Sequence, residues 1–372
     1  MLNTFDRYLL RRYISTYLIM FVSTYGLFVV IDGFTNADEY FNDGQSAVAN
    51  IIGMAKEYGY RSSSFFDMVG SILSVVTVII VLGLVLYQKE LQPVLAAGIP
   101  TYRLSRPLLL GVVFANLLMI VNTEFVLPKV SLLLQTSRGR GLSEGKQIEP
   151  VQDYELHINI DGESMFADKR AIKNARFILT APFLVDELTT LASPNATYYP
   201  ETNQHPSGWL LKQVEPKLEN LKLTELGKKN VFRLKESEDI FVATKVTFHQ
   251  LFSKGGNYLY DTTPELIQRV NSPALSHASI GRQILFLHNR LARPIQNMVA
   301  VMLLIPFVLR KESRSLITSM AVASGALVGM LMVQQLANFL ASAKIVTPDL
   351  AVWIPVLVGG GLAAWFSEDV LT

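Results

Sequence analysis

YQKELQPVLAAGIPTYRLSRP (Tyr87 to Pro107) is a charged interval between two long apolar runs, Phe65 to Leu86 and Leu108 to Leu127. Lys89, Glu90, Arg103 and Arg106 keep it out of a hydrocarbon phase, so it reads as a loop joining two membrane spans. Within it Leu91, Val94 and Leu95 fall at i, i+3 and i+4, Pro93 suits a first helical turn, and Gly98 followed by Pro100 is a stop signal. The pattern predicts a short amphipathic helix over residues 88–98, outside the bilayer and with Glu90 in its first turn. Such a helix is either a connector lying on lipid headgroups or a docking helix for a partner protein.

Outward from this loop, Phe65 to Tyr87 is the second span and Pro107 to Leu127 the third. Tyr13 to Ile31 is an apolar run of about 19 residues, enough to cross roughly 30 Å of hydrocarbon. It is longer than a signal-peptide core, and Ile31-Asp32-Gly33-Phe34 is a poor cleavage site, so it is read as a retained first span. Thr35 to Ser64, between the first two spans, is polar.

From Pro128 to about Arg282 no apolar run is long enough to span. Tyr154, Leu156, Ile158 and Ile160 alternate with Glu155, His157, Asn159 and Asp161, which predicts a strand with a wholly apolar inward side, and Asp161-Gly162 is a hairpin signal. Further strands are expected at Phe177 to Leu179, Thr197 to Tyr199, Gly208 to Lys212, Val231 to Leu234, Ile240 to Ala243 and Lys245 to Phe248. Short strands separated by Pro and Gly predict a β-sandwich or jelly roll. Asp261 to Glu265 is a capped start for a short helix, Pro264 to Val270.

The membrane resumes near Leu285. The purely apolar part of the fourth span, Pro294 to Leu309, reaches only about 24 Å, so the helix needs earlier residues, Arg290 and Arg293 among them. Leu316 to Leu340 is the fifth span and Ala351 to Phe366 the sixth. The expected fold is an α-helical integral membrane protein with six transmembrane helices, three in residues 1–128 and three in 284–372, around an inserted all-β jellyroll domain, residues 129–283.

Short-loop charges orient it. Arg7, Arg11 and Arg12, then Lys89, Arg103 and Arg106, then Arg310, Lys311 and Arg314 mark the cytoplasmic side, while the opposite short loops hold Lys56, Arg61 and Lys344. The β domain is therefore expected on the far side.

Composition agrees with a membrane protein carrying a polar part: half the 372 residues are hydrophobic and 17% are charged. A net charge of +2 without basic tracts points to no nucleic-acid partner. There is no cysteine, and the five histidines lack zinc-ligand spacing, so neither metal nor cofactor is expected. Gly139 to Gln147 contains a Gly-Lys but lacks the remaining phosphate-cradle pattern, so the chain carries no ATPase of its own; Gly-x-Ser-x-Gly and His-Glu-x-x-His are absent too.

Two membrane patterns remain. Arg290, Arg293 and Asn297, at i, i+3 and i+7, share one side of span four and form a cationic face, either turned to a cavity or snorkelling to headgroups. Ala321, Gly325 and Gly329 make a small-residue stripe on span five, where helix backbones approach closely, in the same chain or in a second one.

In their order along the chain, KELQPVLAAGIP (Lys89 to Pro100), NTEFVLPK (Asn122 to Lys129), TTPEL (Thr262 to Leu266) and HNRLARPIQNMVAVMLLIPFV (His288 to Val308) resemble the LptF/LptG (YjgP/YjgQ) family of lipopolysaccharide-export permeases. The chain departs from that pattern at the entry to span two, Ser64-Phe65-Phe66-Asp67, and in span one, where Asp32 stands in place of the lysines of some members. The resemblance implies a permease subunit of an ABC exporter in the bacterial inner membrane, with a periplasmic β-jellyroll. Its implied partners are a paralogous permease in an LptF/LptG-type heterodimer, a cytoplasmic ABC ATPase dimer, a periplasmic β-jellyroll bridge protein and lipopolysaccharide. It also implies that Glu90, beside Leu91, Val94 and Leu95, meets a basic residue of the ATPase, and that part of the slot faced by Tyr154, Leu156, Ile158 and Ile160, a face otherwise read as packed core, stays open for acyl chains. The helical spacing itself predicts that Arg290, Arg293 and Asn297, if turned to the cavity, meet lipid A phosphates and that Ala321, Gly325 and Gly329 lie between the two permeases. The LptF-like and LptG-like halves both remain open. So do a permease for another envelope lipid or lipoprotein and a membrane-anchored β scaffold.

Overall fold

The computed structural model describes residues 4–40, 46–96, 102–135, 145–148, 150–202, 205–233, 239–252, 257–271, 277–309 and 316–371. The chain divides into two compact units: Met1–Asp38, Tyr58–Leu127 and Gly281–Thr372 form a membrane unit, and Glu39–Glu57 with Pro128–Ile280 form the other.

The first half of the chain runs through α1 (Thr4–Thr35), α2 (Ala47–Tyr87), the short α3 (Leu91–Ala96), α4 (Tyr102–Val121), a π-helical turn (Asn122–Val126) and α5 (Leu127–Gln135). The β domain follows, with β1 (Lys146–Gln147), β2 (Val151–Asp153), β3 (Ile158–Asp161), β4 (Ser164–Phe166), β5 (Ala171–Leu179), β6 (Thr189–Tyr199), β7 (Gly208–Lys212), α6 (Glu225–Asn230), β8 (Val231–Arg233), β9 (Ile240–Ala243), α7 (Phe248–Phe252) and α8 (Thr263–Val270). Then come α9 (His277–Leu309), α10 (Leu316–Ser342) and α11 (Pro348–Leu371). Among the described residues, six helical stretches are long and apolar enough to cross a bilayer.

The expected three-plus-three arrangement is therefore present, with helices longer than their apolar runs. Residues of the polar interval Thr35 to Ser64 are helical from Ala47 onward, and α9 takes in Arg290 and Arg293. Backbone hydrogen bonds close within a helix whatever the side chain, so helices overrun the hydrophobic limits that sequence reveals. The predicted helix over 88–98 begins later than expected. α3 starts at Leu91, because Lys89 takes φ 57° and the Glu90 N–H returns to the Val85 carbonyl at 3.0 Å. Ala97 to Thr101 and Arg310 to Arg314, with the charges and stop signals they carry, lie outside the described residues.

α1 turns Leu9, Tyr13 and Tyr17 inward at four-residue spacing. Tyr13 lies against Gly111 of α4, where a Cβ would strike the ring, and its hydroxyl donates to the Ser74 carbonyl at 3.1 Å. Further along, Phe21, Tyr25 and Phe28 interleave with Phe65 and Phe66 of α2 at centroid distances of 5.0–5.2 Å for the closest pairs. Asp32 meets the Tyr58 hydroxyl at 2.7 Å and Arg61 at 3.9 Å, so the acid standing in place of lysine is itself neutralised.

The β domain is an antiparallel sheet in the order β1-β4-β5-β6-β7-β9-β8, with β3 on β5 and β2 on β3. The expectation of a strand from Tyr154 is corrected. Asp153 Oδ1 accepts from the Glu155 and Leu156 N–H groups at 2.9 and 3.2 Å, and His157 takes φ 53°, so Tyr154 to His157 form a turn. Tyr154 is exposed and Leu156 half-buried, while Ile158 and Ile160 are sealed in the core. Nor is Asp161-Gly162 a hairpin. β3 and β4 pair with β5 in one register, Ile158↔Leu179 through Phe166↔Ala171, so the strand runs past Gly162, whose Cβ would lie 2.5 Å from Ile172 Cγ2. Residues Lys245 to Val246 form no strand, and Phe248 opens α7.

The remaining strand expectations fall on β5 to β9; of them only Leu234 lies outside the described residues. The core of the domain is filled by Trp209, Phe177, Phe248, Leu179 and Leu211, with Trp209 Nε1 donating to the Val246 carbonyl at 3.3 Å. α8 opens with the anticipated capping box of Thr262 and Glu265. At its far end burial pulls the Arg269 guanidinium below its usual pKa, opposed by Asp261 at 2.9 Å and by Glu265.

Candidate functional site

A side chain that can form hydrogen bonds is expensive to leave facing lipid, so polar residues inside spans turn toward one another or toward a cavity. Here they gather between α2, α9 and α10. A cavity of about 370 Å³ is lined by the polar Asp67, Ser71, Asn289, Arg293, Gln296, Asn297, Gln334, Gln335 and Asn338 together with the apolar Met68, Ile72, Val75, Ala300, Leu327, Met330 and Leu331.

The spacing of α9 accounts for its share. Asn289, Arg293, Gln296 and Ala300 recur at i, i+4, i+7 and i+11, one face of a helix. Pro294 removes an N–H from the ladder behind Arg290, where a helix yields most easily. Opposite, the π turn of Asn122 to Val126 loosens the backbone between α4 and α5.

The hydrogen bonds are specific. Arg293 Nη1 donates to Asp67 Oδ1 at 2.8 Å and faces the Asp67 carbonyl at 3.3 Å. Thr123 Oγ1, in the π turn, reaches the same Asp67 Oδ1 at 2.9 Å and the Met119 carbonyl at 2.8 Å. Asn122 exchanges bonds with Ser63 at 2.8 and 3.0 Å. Deeper in the unit, Ser71 donates to Asn297 Oδ1 at 2.6 Å and Asn297 Nδ2 to Asn116 Oδ1 at 2.7 Å. Carboxamide rungs tie α9 to α10: Asn289 to Asn338 at 2.9 Å and Gln334 to Gln296 at 3.1 Å. The groove combines polar side chains, among them the Asp67–Arg293 ion pair, with apolar ones.

A protein-family model described as "Lipopolysaccharide export system permease LptF/LptG" matches residues 7–368. The chain belongs to the LptF/LptG family. No curated protein matches it.

In this LptF/LptG permease the sequence-predicted residues are spread over four places. Arg293 and Asn297 reach the groove, Arg293 paired to Asp67 and Asn297 tied to Ser71 and Asn116. Arg290 is not among the lining residues; its Nη2 points to the Thr123 carbonyl at 3.4 Å and its guanidinium lies 5.8 Å from the Phe286 ring centre. Ile158 and Ile160 belong to the β-domain core. Ala321, Gly325 and Gly329 lie on an exposed side of α10, and a Cβ at Gly325 or Gly329 meets nothing within 4 Å.

Glu90 precedes α3 and sits in a network of its own. Tyr8 donates to Oε1 at 2.8 Å, Arg12 Nη1 to Oε2 at 3.0 Å, and Arg12 Nη2 to Gln88 Oε1 at 2.6 Å. The apolar face expected to seat a partner is turned inward instead. Val94 is buried in the same core as Leu9 and Leu104, and Leu91 packs against that core, because it is the nearest apolar surface open to a helix of six residues. The Leu95 side chain is outside the described residues.

Sequence reading missed Asp67, Thr123, Asn116, Gln334 and Asn338. Their signal was present: each interrupts or borders an apolar run, and a polar side chain inside a span marks a site by default.

Proposed function

We propose that this chain is one permease half of an ATP-driven exporter that takes lipopolysaccharide from the inner membrane and passes it toward the outer membrane. Family membership makes it a lipopolysaccharide-export permease rather than an enzyme. The observation that carries the finer reading is the groove. An amphiphile needs polar and apolar surface side by side, and Asp67, Arg293 and the carboxamides line one cavity together with Met68, Ile72, Leu327 and Leu331.

The partners follow. A second permease packs on α10 along Ala321, Gly325 and Gly329, a face with no neighbour within 4 Å of either glycine Cβ. A cytoplasmic ATPase dimer engages the loop before α3, on the side that Arg7, Arg11, Arg12, Lys89, Arg103 and Arg106 assign to the cytoplasm. Glu90 is its contact. The carboxylate already accepts from Tyr8 and Arg12, and its remaining lone pairs can take a basic side chain without breaking either bond. By the same charge rule the β domain is periplasmic, where a bridge protein receives the lipid, with Ile158 and Ile160 exposed to acyl chains only when the core opens.

Mass spectrometry of the lipid that co-purifies with the complex tests the substrate. Lipopolysaccharide is expected, and a different envelope lipid or a lipoprotein in its place overturns the assignment. In reconstituted vesicles Glu90→Arg is expected to assemble yet lose coupled export; unchanged export removes Glu90 from the coupling path.

A further inference from the structure

The charged side chains lining the groove are Asp67 and Arg293, and they are paired with each other at 2.8 Å, with side-chain exposures of 16% and 25%. An arriving headgroup therefore meets a neutral pair and not a free cation. Two features suit that pair to open. Thr123 Oγ1 donates to the same Asp67 oxygen at 2.9 Å, so the carboxylate keeps a partner when Arg293 leaves it. The pair also borders open space, the cavity of about 370 Å³.

We propose that Asp67 is an internal counter-ion that competes with the phosphoryl group of a phosphorylated lipid for Arg293, and so sets both the selectivity and the reversibility of this subsite. This rests on the reading of the chain as a lipid exporter. A phosphoryl oxygen replaces a carboxylate oxygen on the same guanidinium, exchanging one charge-assisted hydrogen bond for another. Binding is then a difference between two similar interactions, which lets an exporter release what it has bound. A headgroup without phosphate cannot drive the exchange. The apolar residues of the same lining, Met68, Ile72, Leu327 and Leu331, receive the adjoining acyl chain.

The test measures binding of lipid A, its dephosphorylated form and inorganic phosphate to the full-length permease complex in nanodiscs. Asp67→Asn leaves Arg293 a neutral competitor, so phosphorylated lipid is expected to bind about tenfold tighter and leave more slowly, with the dephosphorylated lipid unaffected. Asp67→Glu is expected to restore the wild-type affinity, and Arg293→Gln to abolish the preference for the phosphorylated form. A folded Asp67→Asn complex that binds phosphorylated lipid no tighter overturns the counter-ion role even if lipid export is intact. Failure of the wild-type complex to bind either lipid overturns the exporter reading itself. If Asp67→Asn does not assemble, phosphorylated-lipid affinity is read in Asp67→Ser, which also removes the charge, and equality with wild type overturns the proposal. Displacement of lipid by inorganic phosphate overturns the lipid source in favour of a free anion.

Discussion

In the β domain Trp209, Phe177 and Leu211 are fully buried, whereas in the membrane unit Leu18, Ile19, Val22 and Leu27 of α1 are half or more exposed, and the polar Asn116, Gln296 and Asn297 are buried alongside an apolar helix core. The two units obey one rule in different solvents. Against water, burying apolar surface stabilises by about 25 cal/mol per Å², so the apolar side chains form the core. Against lipid tails an apolar side chain gains little by turning inward, and specificity passes to polar contacts and small-residue packing. Truncating an apolar side chain that faces lipid should therefore cost far less than truncating one in the β-domain core.

The largest expected effect is in the β domain. Phe177→Ala removes a fully buried ring packed 6.4 Å from the Trp209 ring centre and should cost about 3 to 5 kcal/mol, enough to expose the domain to limited proteolysis in the full-length protein. Leu18→Ala, at a residue 52% exposed on α1, should leave the protease-resistant pattern and the thermal midpoint in detergent unchanged. Equal losses in the two variants would break the contrast between the units.

Next is the ion pair. Asp67→Ala leaves Arg293 without its carboxylate inside the membrane unit and should destabilise by about 3 kcal/mol, the low end for a buried pair because the side chains are partly exposed. Replacing both partners, Asp67→Leu with Arg293→Met, should recover most of the loss in thermal unfolding while lipid export stays absent. A double variant no better than the single would mean that the polar network, and not the unpaired charge, supports the helices.

These two regions were not equally legible. The six spans, the inserted β domain and most of its strands follow from hydropathy and alternation, which depend on local sequence alone. Tyr154 was misread because the neighbouring Asp153 side chain takes the Glu155 and Leu156 N–H groups and turns the chain, a local bond that competes with the strand pattern, and Gly162 because Ile172, across the sheet, requires glycine. Of the cationic face of Arg290, Arg293 and Asn297, the groove takes Arg293 and Asn297 but not Arg290, and helical phase cannot show that Asp67, 226 residues away, pairs with Arg293. Helical periodicity likewise found the apolar side of α3 but not what covers it.

A smaller effect belongs to the water-facing side. Thr262→Ala deletes the cap that accepts the Glu265 N–H and should lower stability by about 1 kcal/mol, read as faster amide exchange at the start of α8 with no change elsewhere. A loss of several times that size would show that α8 anchors more than its own first turn.

The smallest effect on the single chain should be at Gly325, and it is the sharpest test of how lipid-side surfaces work. A Cβ there meets nothing within 4 Å, so Gly325→Ala has no clash to relieve and gains up to about 1 kcal/mol of helix propensity. By the rules of the β domain this substitution is neutral or mildly stabilising. If α10 instead meets a second permease along Ala321, Gly325 and Gly329, the added methyl holds two backbones apart where close approach is the main source of attraction. Thermal unfolding of the isolated chain should then hold or rise slightly while the yield of paired permeases falls. A cysteine placed at Gly325 should crosslink to the partner in membranes, and crosslinks confined to one chain, with pairing intact in Gly325→Ala, would return this stripe to ordinary lipid-facing surface.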